Sequence, residues 1–530
     1  MSNGCGRAGY SSRGRVVSRP DNPRSRRRRA EEVVMFDVRP WLRSIGLAAI
    51  VAALFATFPV ERSAAQSADE AKSKPPRPNV LFLFSDDQRA DTIHSLGNKH
   101  IQTPNLDRLV ERGTVFGRAY CMGGHHGAVC MPSRAMLLTG RSLFRIKENF
   151  AGTPSWPEQF AAAGYATFVT GKWHNGPEAL ARVFSSGEAI FLGGMTDPNA
   201  ARLVDVVPAA AGDKTAKLTP PRTTEKHSVE RFADAAIAFL RKQDGTRPFL
   251  CYVAFNAPHD PCVVPKDFAI RYDAAKIPLP GNYLPLHPFD NGEMSVRDEK
   301  LLPWPRTEKQ VRANLADYYR AVSFVDAQVG RILDELDRRG LANNTVIVFA
   351  SDHGLAVGSH GLMGKQNLYE HSMRAPLIFA GPGIEGGLRT TALCYLFDVF
   401  PTLGELSGVA PPKGSEGQSL REIVEGRNKT ARREIYTAYR DVQRAVCDAR
   451  WKLIRYPKID KTQLFDLADD PEETRDLSGD QRYAEHRRRL WDRMQQARET
   501  WADKAPLEVA QPADGRWNPS AQAEAARPRR

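Results

Sequence analysis

Asn79-Val80-Leu81-Phe82-Leu83-Phe84 runs without a polar break and stops at Ser85-Asp86-Asp87. A strand with one face in water alternates apolar and polar residues. One covered on both faces is apolar throughout, so this run predicts a central strand of a sandwiched, mostly parallel sheet. Its two carboxylates fall at the carboxyl end, where open α/β sheets collect ligands. Adjacent carboxylates at such a place repel each other unless a cation lies between them, which favours a metal over the plainer reading of a solvated Asp-rich turn.

Three more runs repeat the design. Ala166-Thr167-Phe168-Val169-Thr170 leads into Gly171-Lys172-Trp173-His174, where Lys172 and His174, two apart on an extended chain, can face one pocket. Phe249 to Phe255 ends in Asn256-Ala257-Pro258-His259-Asp260, and Thr345 to Ala350 ends in Ser351-Asp352-His353-Gly354, with Lys365 following in a Gly-rich loop. Helical patterns lie between them. One runs from Thr103, an expected N-cap, through Pro104 and Leu109 to Gly113, and a short one opens on a Ser155/Glu158 capping box. Another follows Ser228, and a long one covers Tyr318 to Arg339. This alternation predicts an α/β fold with a large mixed, mostly parallel sheet flanked by helices over residues 75–410. Residues 261–307 are Pro-rich and aperiodic, the mark of a long, often functional loop. From 411 to 505 short alternating segments and a charged helix near Gln481 to Trp501 predict a smaller antiparallel sheet closed by a helix. Residues 506–530, rich in Pro, Ala and Arg, are expected to be unstructured.

The remaining stretch of note is Cys130-Met131-Pro132-Ser133-Arg134, which continues through an apolar turn to Thr139-Gly140-Arg141. A lone cysteine is usually a buried structural residue. The spacing of Cys130, Pro132 and Arg134, with Gly-Lys-x-His after a strand, resembles the type I sulfatases of the alkaline-phosphatase-like superfamily, over roughly residues 78–500. In that family a maturation enzyme oxidises the cysteine to formylglycine. The resemblance implies that Asp86, Asp87, Asp352, His353 and the modified Cys130 hold one divalent cation, Ca²⁺ in preference to Mg²⁺, since calcium favours oxygen ligands. His353 stands where some members carry Asn. The resemblance further implies that the hydrated formylglycine attacks sulfur and that His174 then deprotonates its second hydroxyl to expel sulfate. Arg134 and Lys172 would hold the formylglycine oxygen, and His259 and Lys365 would neutralise the sulfuryl oxygens, one of them as general acid. His125 and His126, just before the motif, either line the pocket or occupy a loop.

The expected substrate is a sulfated small molecule or glycan, with a carbohydrate sulfate favoured. The competing enzyme reading is a phosphatase or phosphodiesterase of the same superfamily, which would present Ser or Thr where Cys130 stands. The competing binding reading is a catalytically silent sulfated-glycan-binding protein. A nucleic-acid partner is not expected, although the net charge is +13, because residues 1–65 alone hold twelve arginines against five acids. Residues 1–34 read as a disordered basic segment or as sequence upstream of the true start at Met35. Residues 35–65 read as an export signal, with Arg39 and Arg43 ahead of the apolar run Ile45 to Phe58 and small residues at Ser63-Ala64-Ala65. The chain is therefore expected to be periplasmic or secreted, with no membrane span left after signal removal. The seven cysteines are scattered, which excludes zinc ribbons and dense disulfide scaffolds; Cys251 and Cys262 are the nearest pair.

Overall fold

The computed structural model describes residues 77–209 and 216–519. The basic segment 1–34, the export signal 35–65 and residues 520–530 of the expected tail lie outside the described residues. Among the described residues no helix is long and apolar enough to cross a membrane.

Four strands form the middle of the large sheet: β1 (Asn79–Asp86), β2 (Ala166–Lys172), β3 (Phe249–Pro258) and β4 (Thr345–Ser351). They lie side by side in the order β4-β1-β3-β2, and every neighbouring pair is parallel. Beside β2 the strand Ser186–Phe191 continues the parallel run before antiparallel strands follow, and beside β4 the strand Leu377–Ala380 is antiparallel, giving eleven strands among the described residues. The continuous apolar run of β1 has a direct cause in packing. Val80, Phe82 and Phe84 enter one core, where Phe82 stacks on Tyr252 and Phe400. Leu81 and Leu83 enter the other, against the helix Ser228–Arg241 and the long helix Glu308–Arg338. Both faces are dry, so neither tolerates a polar alternation. Because the four strands point the same way, their carboxyl ends share one edge.

Several local expectations need correction. Thr103 precedes the helix Pro104–Arg112 but makes no capping bond. Its hydroxyl accepts instead from His94 N at 2.8 Å, and the helix start is held by Asp326 of the long helix, which accepts from Leu106 N at 2.7 Å and Asn105 N at 3.1 Å. The long helix begins at Glu308, well before Tyr318, on a capping box of Thr307 and Gln310. Its first turns are charged and hide the periodicity. Residues on both sides of position 410 fall in one compact unit. The smaller C-terminal antiparallel sheet is present as expected, with one addition. Its meander of Ile435–Tyr439, Gln443–Cys447, Trp451–Tyr456 and Lys461–Asp466 gains Gly123–Gly124 as a parallel edge strand. Gly123 is required there, because a Cβ would lie 1.8 Å from the Ala438 carbonyl oxygen and its φ is 114°. The segment after residue 506 is not free as far as it is described. Leu507 is buried, and backbone bonds join Ala513 to Lys458 and Asp290 to Gly515. All the described cysteines, Cys251 and Cys262 included, are free thiols.

Candidate active site

The shared edge gathers the strand-end residues. Asp86 closes β1, and Asp87 follows at φ 65°, a left-handed turn that swings its carboxylate back toward β4. That turn is held by Asp87 N donating to Asp352 Oδ1 at 3.0 Å and by Tyr318 Oη donating to the Asp87 carbonyl at 2.6 Å. Asp352 and His353 leave β4 and are fully buried. Cys130 sits at the first position of the helix Cys130–Thr139, which ends at Gly140 in the left-handed conformation. Ser133, one turn into that helix, donates to the Asp352 carbonyl at 2.7 Å and ties it to the edge.

Arg134 is 1 % exposed and binds Asp86 Oδ1 at 3.2 Å, Asp352 Oδ2 at 3.1 Å and the Lys172 carbonyl at 3.1 Å, with its guanidinium over the Phe84 ring. Lys172 ends β2, and its Nζ lies 2.5 Å from Asp86 Oδ2 and 3.7 Å from Cys130 Sγ. His174 stands beyond the strand at φ 67°, with Nδ1 3.3 Å from the same sulfur. Lys172 and His174 therefore converge through a turn, not through strand alternation. Across the carboxylates, Lys365 Nζ binds both oxygens of Asp87 at 2.9 and 2.8 Å, and His259 Nε2 lies 3.7 Å from Asp87 Oδ2. Every residue singled out in the sequence for this chemistry is thus part of one cluster. Of the paired histidines, His125 bonds the Leu143 carbonyl and packs on Phe144, whereas His126 is partly exposed and pairs with Glu148 at 2.7 Å.

The electrostatics follow from burial set against neighbours. Burial raises the Cys130 thiol, yet Lys172 and Lys365 outweigh it and hold the thiol well below its ordinary value. The same contest, won by Lys172 and Arg134, holds Asp86 well below the carboxylate range. Asp352 differs. Burial, with Asp86 adding to it, pushes its carboxyl up to about 7 despite His353. Burial would lower His353, but Asp352 and Asp87 hold it up at about 9. Around Asp352 the positive groups thus do not offset the cost of burying its charge.

Whether a cation fits can be judged from the donors. Carboxylate oxygens of Asp86, Asp87 and Asp352 lie within 4.8 Å of one another, and Cys130, Asp352 and His353 form a second such group. His353 Nδ1 is engaged by the Gly354 carbonyl at 2.9 Å, while its buried Nε2 has no hydrogen-bond partner and points toward Asp87 Oδ1 at 3.5 Å. A buried donor atom left without a partner, beside clustered carboxylates, fits an oxygen-preferring divalent cation with one imidazole ligand.

Residues not foreseen as part of the site come from the Pro-rich insertion. Asp298 accepts from Gln366 Nε2 at 2.8 Å and lies 3.9 Å from Lys365 Nζ. Glu299 accepts from Met363 N and Gly364 N at 3.0 and 2.8 Å, pinning the Lys365 loop. Only the run of charge at Arg297-Asp298-Glu299, within an otherwise Pro-rich stretch, marks them in the sequence.

A sequence model of the Sulfatase family matches residues 78–409, and one described as N-sulphoglucosamine sulphohydrolase, C-terminal, matches 358–500. An arylsulfatase of Clostridium perfringens is 28% identical over 449 residues, covering 77% of this chain and 92% of the relative. An N-acetylglucosamine-6-O-sulfatase of Bacteroides thetaiotaomicron is 26% identical over 538 residues, covering 84% and 90%. Among solved structures, one in complex with its substrate D-glucosamine-2-N,6-O-disulfate superposes with a TM-score of 0.65 at 24% identity, covering 82% of this chain and 99% of the other. The fold, the residues at the sheet edge and a family match over most of the chain agree: the protein belongs to the sulfatase family and is a sulfuric ester hydrolase.

Proposed function

We propose that this chain is an exported hydrolase of sulfate monoesters on carbohydrates, acting through residue 130 after a maturation enzyme has oxidised the Cys130 side chain to formylglycine. The observation that carries the reading is the surroundings of that side chain. It is buried, meets Lys172 at 3.7 Å and His174 at 3.3 Å, and is held strongly in favour of an anion. When present and hydrated, the aldehyde supplies two hydroxyls on one carbon, one to attack sulfur and one to be ionised afterwards.

The chain's own residues do the rest. His174 presents Nδ1 to residue 130 and is placed to take a proton from it. Lys172 offsets negative charge at residue 130, and Arg134 fixes both Asp86 and the Lys172 backbone so that the lysine cannot retreat. His259 and Lys365 bring positive charge to the opposite side, and one of them returns a proton to the departing alcohol oxygen. Charged contacts of this kind are worth roughly 10²–10³ in rate each. Asp86, Asp87, Asp352 and His353 would hold the cation, for which calcium suits the oxygen-rich set and would add charge stabilisation at the bound sulfate.

A carbohydrate substrate is supported by the relative named for N-acetylglucosamine-6-O-sulfate cleavage and by the sulphohydrolase model over the C-terminal region. Export is supported by the basic, apolar and small-residue pattern of residues 35–65. The decisive experiment pairs mass spectrometry of the peptide holding residue 130 with assays of the parent and Cys130→Ala on 4-nitrophenyl sulfate and a panel of sulfated monosaccharides. The mass change for CH₂SH becoming CHO is expected, with turnover abolished in Cys130→Ala. Turnover in that variant equal to the parent's would refute the mechanism.

A further inference from the structure

The outer wall beside His259 and Lys365 is built by the Pro-rich insertion and centres on Arg297. Its guanidinium forks onto Asp260, Nη1 to Oδ2 at 2.5 Å and Nη2 to Oδ1 at 2.8 Å. On its other side Nε and Nη2 reach Asp298 Oδ1 at 2.8 and 2.5 Å, and the remaining Nη1 hydrogen faces Met195 Sδ at 2.6 Å. Four of its five N–H groups are therefore taken by carboxylates of the protein, and the fifth faces a thioether. Although the side chain is 43% exposed, its guanidinium is committed chiefly to Asp260 and Asp298.

Both carboxylates that it holds stand behind proton-bearing groups. The His259 ring lies with Nδ1 2.8 Å from the Asp260 carbonyl and 3.3 Å from Asp260 Oδ1, which turns Nε2 toward Asp87. Asp298 lies 3.9 Å from Lys365 Nζ and also binds the neighbouring Gln366 side chain. One planar guanidinium thus fixes the supports of both groups facing Asp87. Without it, Asp260 and Asp298 would lose the guanidinium they share and be free to shift, drawing His259 and Lys365 away from the reacting centre. A bidentate fork is what arginine offers and lysine does not.

We propose that Arg297 is a positioning residue for protonation of the leaving group, acting through Asp260 on His259 and through Asp298 on Lys365. This rests on the reading that one of those two groups is the general acid. A general acid matters in proportion to how badly the departing oxygen needs a proton, so the role has a signature that a merely structural one lacks.

The test is a series of aryl sulfates from 4-nitrophenyl to 4-methoxyphenyl, assayed with the parent, Arg297→Ala, Arg297→Lys and Asp260→Asn. General acids supply about 10²–10⁴ in rate, so misplacing one in Arg297→Ala should cost roughly 10–100-fold in kcat on the poorest leaving group and under about threefold on 4-nitrophenyl sulfate. The dependence of log kcat on leaving-group pKa therefore steepens. Asp260→Asn should behave likewise, and Arg297→Lys should recover part of the loss. Equal losses across the series, or losses confined to KM, would overturn the proposal. Should Arg297→Ala not fold, the other two variants carry the same comparison. Failure of the underlying reading is separately visible, since His259→Ala and Lys365→Ala would then both leave the dependence on leaving-group pKa as it is in the parent.

Discussion

Asp352 shows how one side chain reports what its pocket requires. Its carboxyl touches Arg134, yet burial, with Asp86 adding to it, keeps it up at about 7, so the positive groups around it fall short of offsetting the cost of burying its charge. A bound divalent cation would remove that shortfall, and any ligand that binds only the folded state stabilises it, by about 2.7 kcal/mol at a hundredfold excess over Kd. Calcium added to metal-free protein should therefore raise the thermal unfolding midpoint, and the rise should be lost in Asp352→Asn; a midpoint in the parent that ignores calcium would count against the cation site. These acids could be read in the sequence because each follows an apolar run that can only be a strand buried on both faces. Arg297, Asp298 and Glu299 could not. Their place is set by bonds to Asp260, Gln366 and the Met363–Gly364 backbone, and no local periodicity encodes those bonds.

At the level of elements, the helix Pro104–Arg112 owes its start to a residue more than two hundred positions away. Asp326 accepts from Leu106 N, Asn105 N and the Asn105 side chain, groups that the helix itself cannot satisfy. Asp326→Ala should destabilise the protein by about 1–3 kcal/mol, the cost of buried donors left unpaired. Asp326→Asn, which keeps an acceptor oxygen, should lose less; urea unfolding of the two variants measures the difference, and equal losses would argue against the cap. The sequence pointed to Thr103 because Ser and Thr before a helix usually fill this role. The rule gave the right place for a cap and the wrong donor of it, since a cap brought in by tertiary packing leaves no trace beside the helix.

Across the whole molecule, three histidines lie where the Pro-rich insertion, the loop before the active-site lysine and the C-terminal region meet. His287 Nδ1 bonds the His360 carbonyl at 2.8 Å, and His360 Nε2 bonds the Glu473 carbonyl at 2.9 Å. His360 also stacks on Tyr369 and meets His371 at 3.2 Å. Burial lowers all three, His287 to about 3, His360 to about 4 and His371 well below its usual value, and Lys452 and Arg89 push His360 and His371 in the same direction. Neutral in the folded chain and titrating near 6.5 when unfolded, these groups bind more protons in the unfolded state below that pH. Their contribution is fully present above about pH 6.5 and declines as pH falls toward 4, by up to about 1.4 kcal/mol per pH unit for each histidine. Urea midpoints should drop steeply from pH 6.5 to 5, and His287→Gln should flatten that drop; an unchanged slope would remove His287 from the account. The architecture of the large sheet was legible from four apolar runs. The union of the two expected domains was not, because it is made by such side-chain bonds and by a two-residue strand.

That two-residue strand, Gly123–Gly124, also has a consequence in time. It leads into the helix bearing Cys130 and is closed against Ile435–Tyr439, which begins 305 residues after that cysteine. At about 5–20 residues per second, a ribosome needs roughly 15–60 s to make the intervening chain. In the finished fold Cys130 is only 1 % exposed. On the reading proposed above, the maturation enzyme has that interval, and any delay before folding, in which to find an unprotected substrate. Slow synthesis or slow closure of the C-terminal sheet would then raise the fraction of matured molecules, and fast folding would lower it.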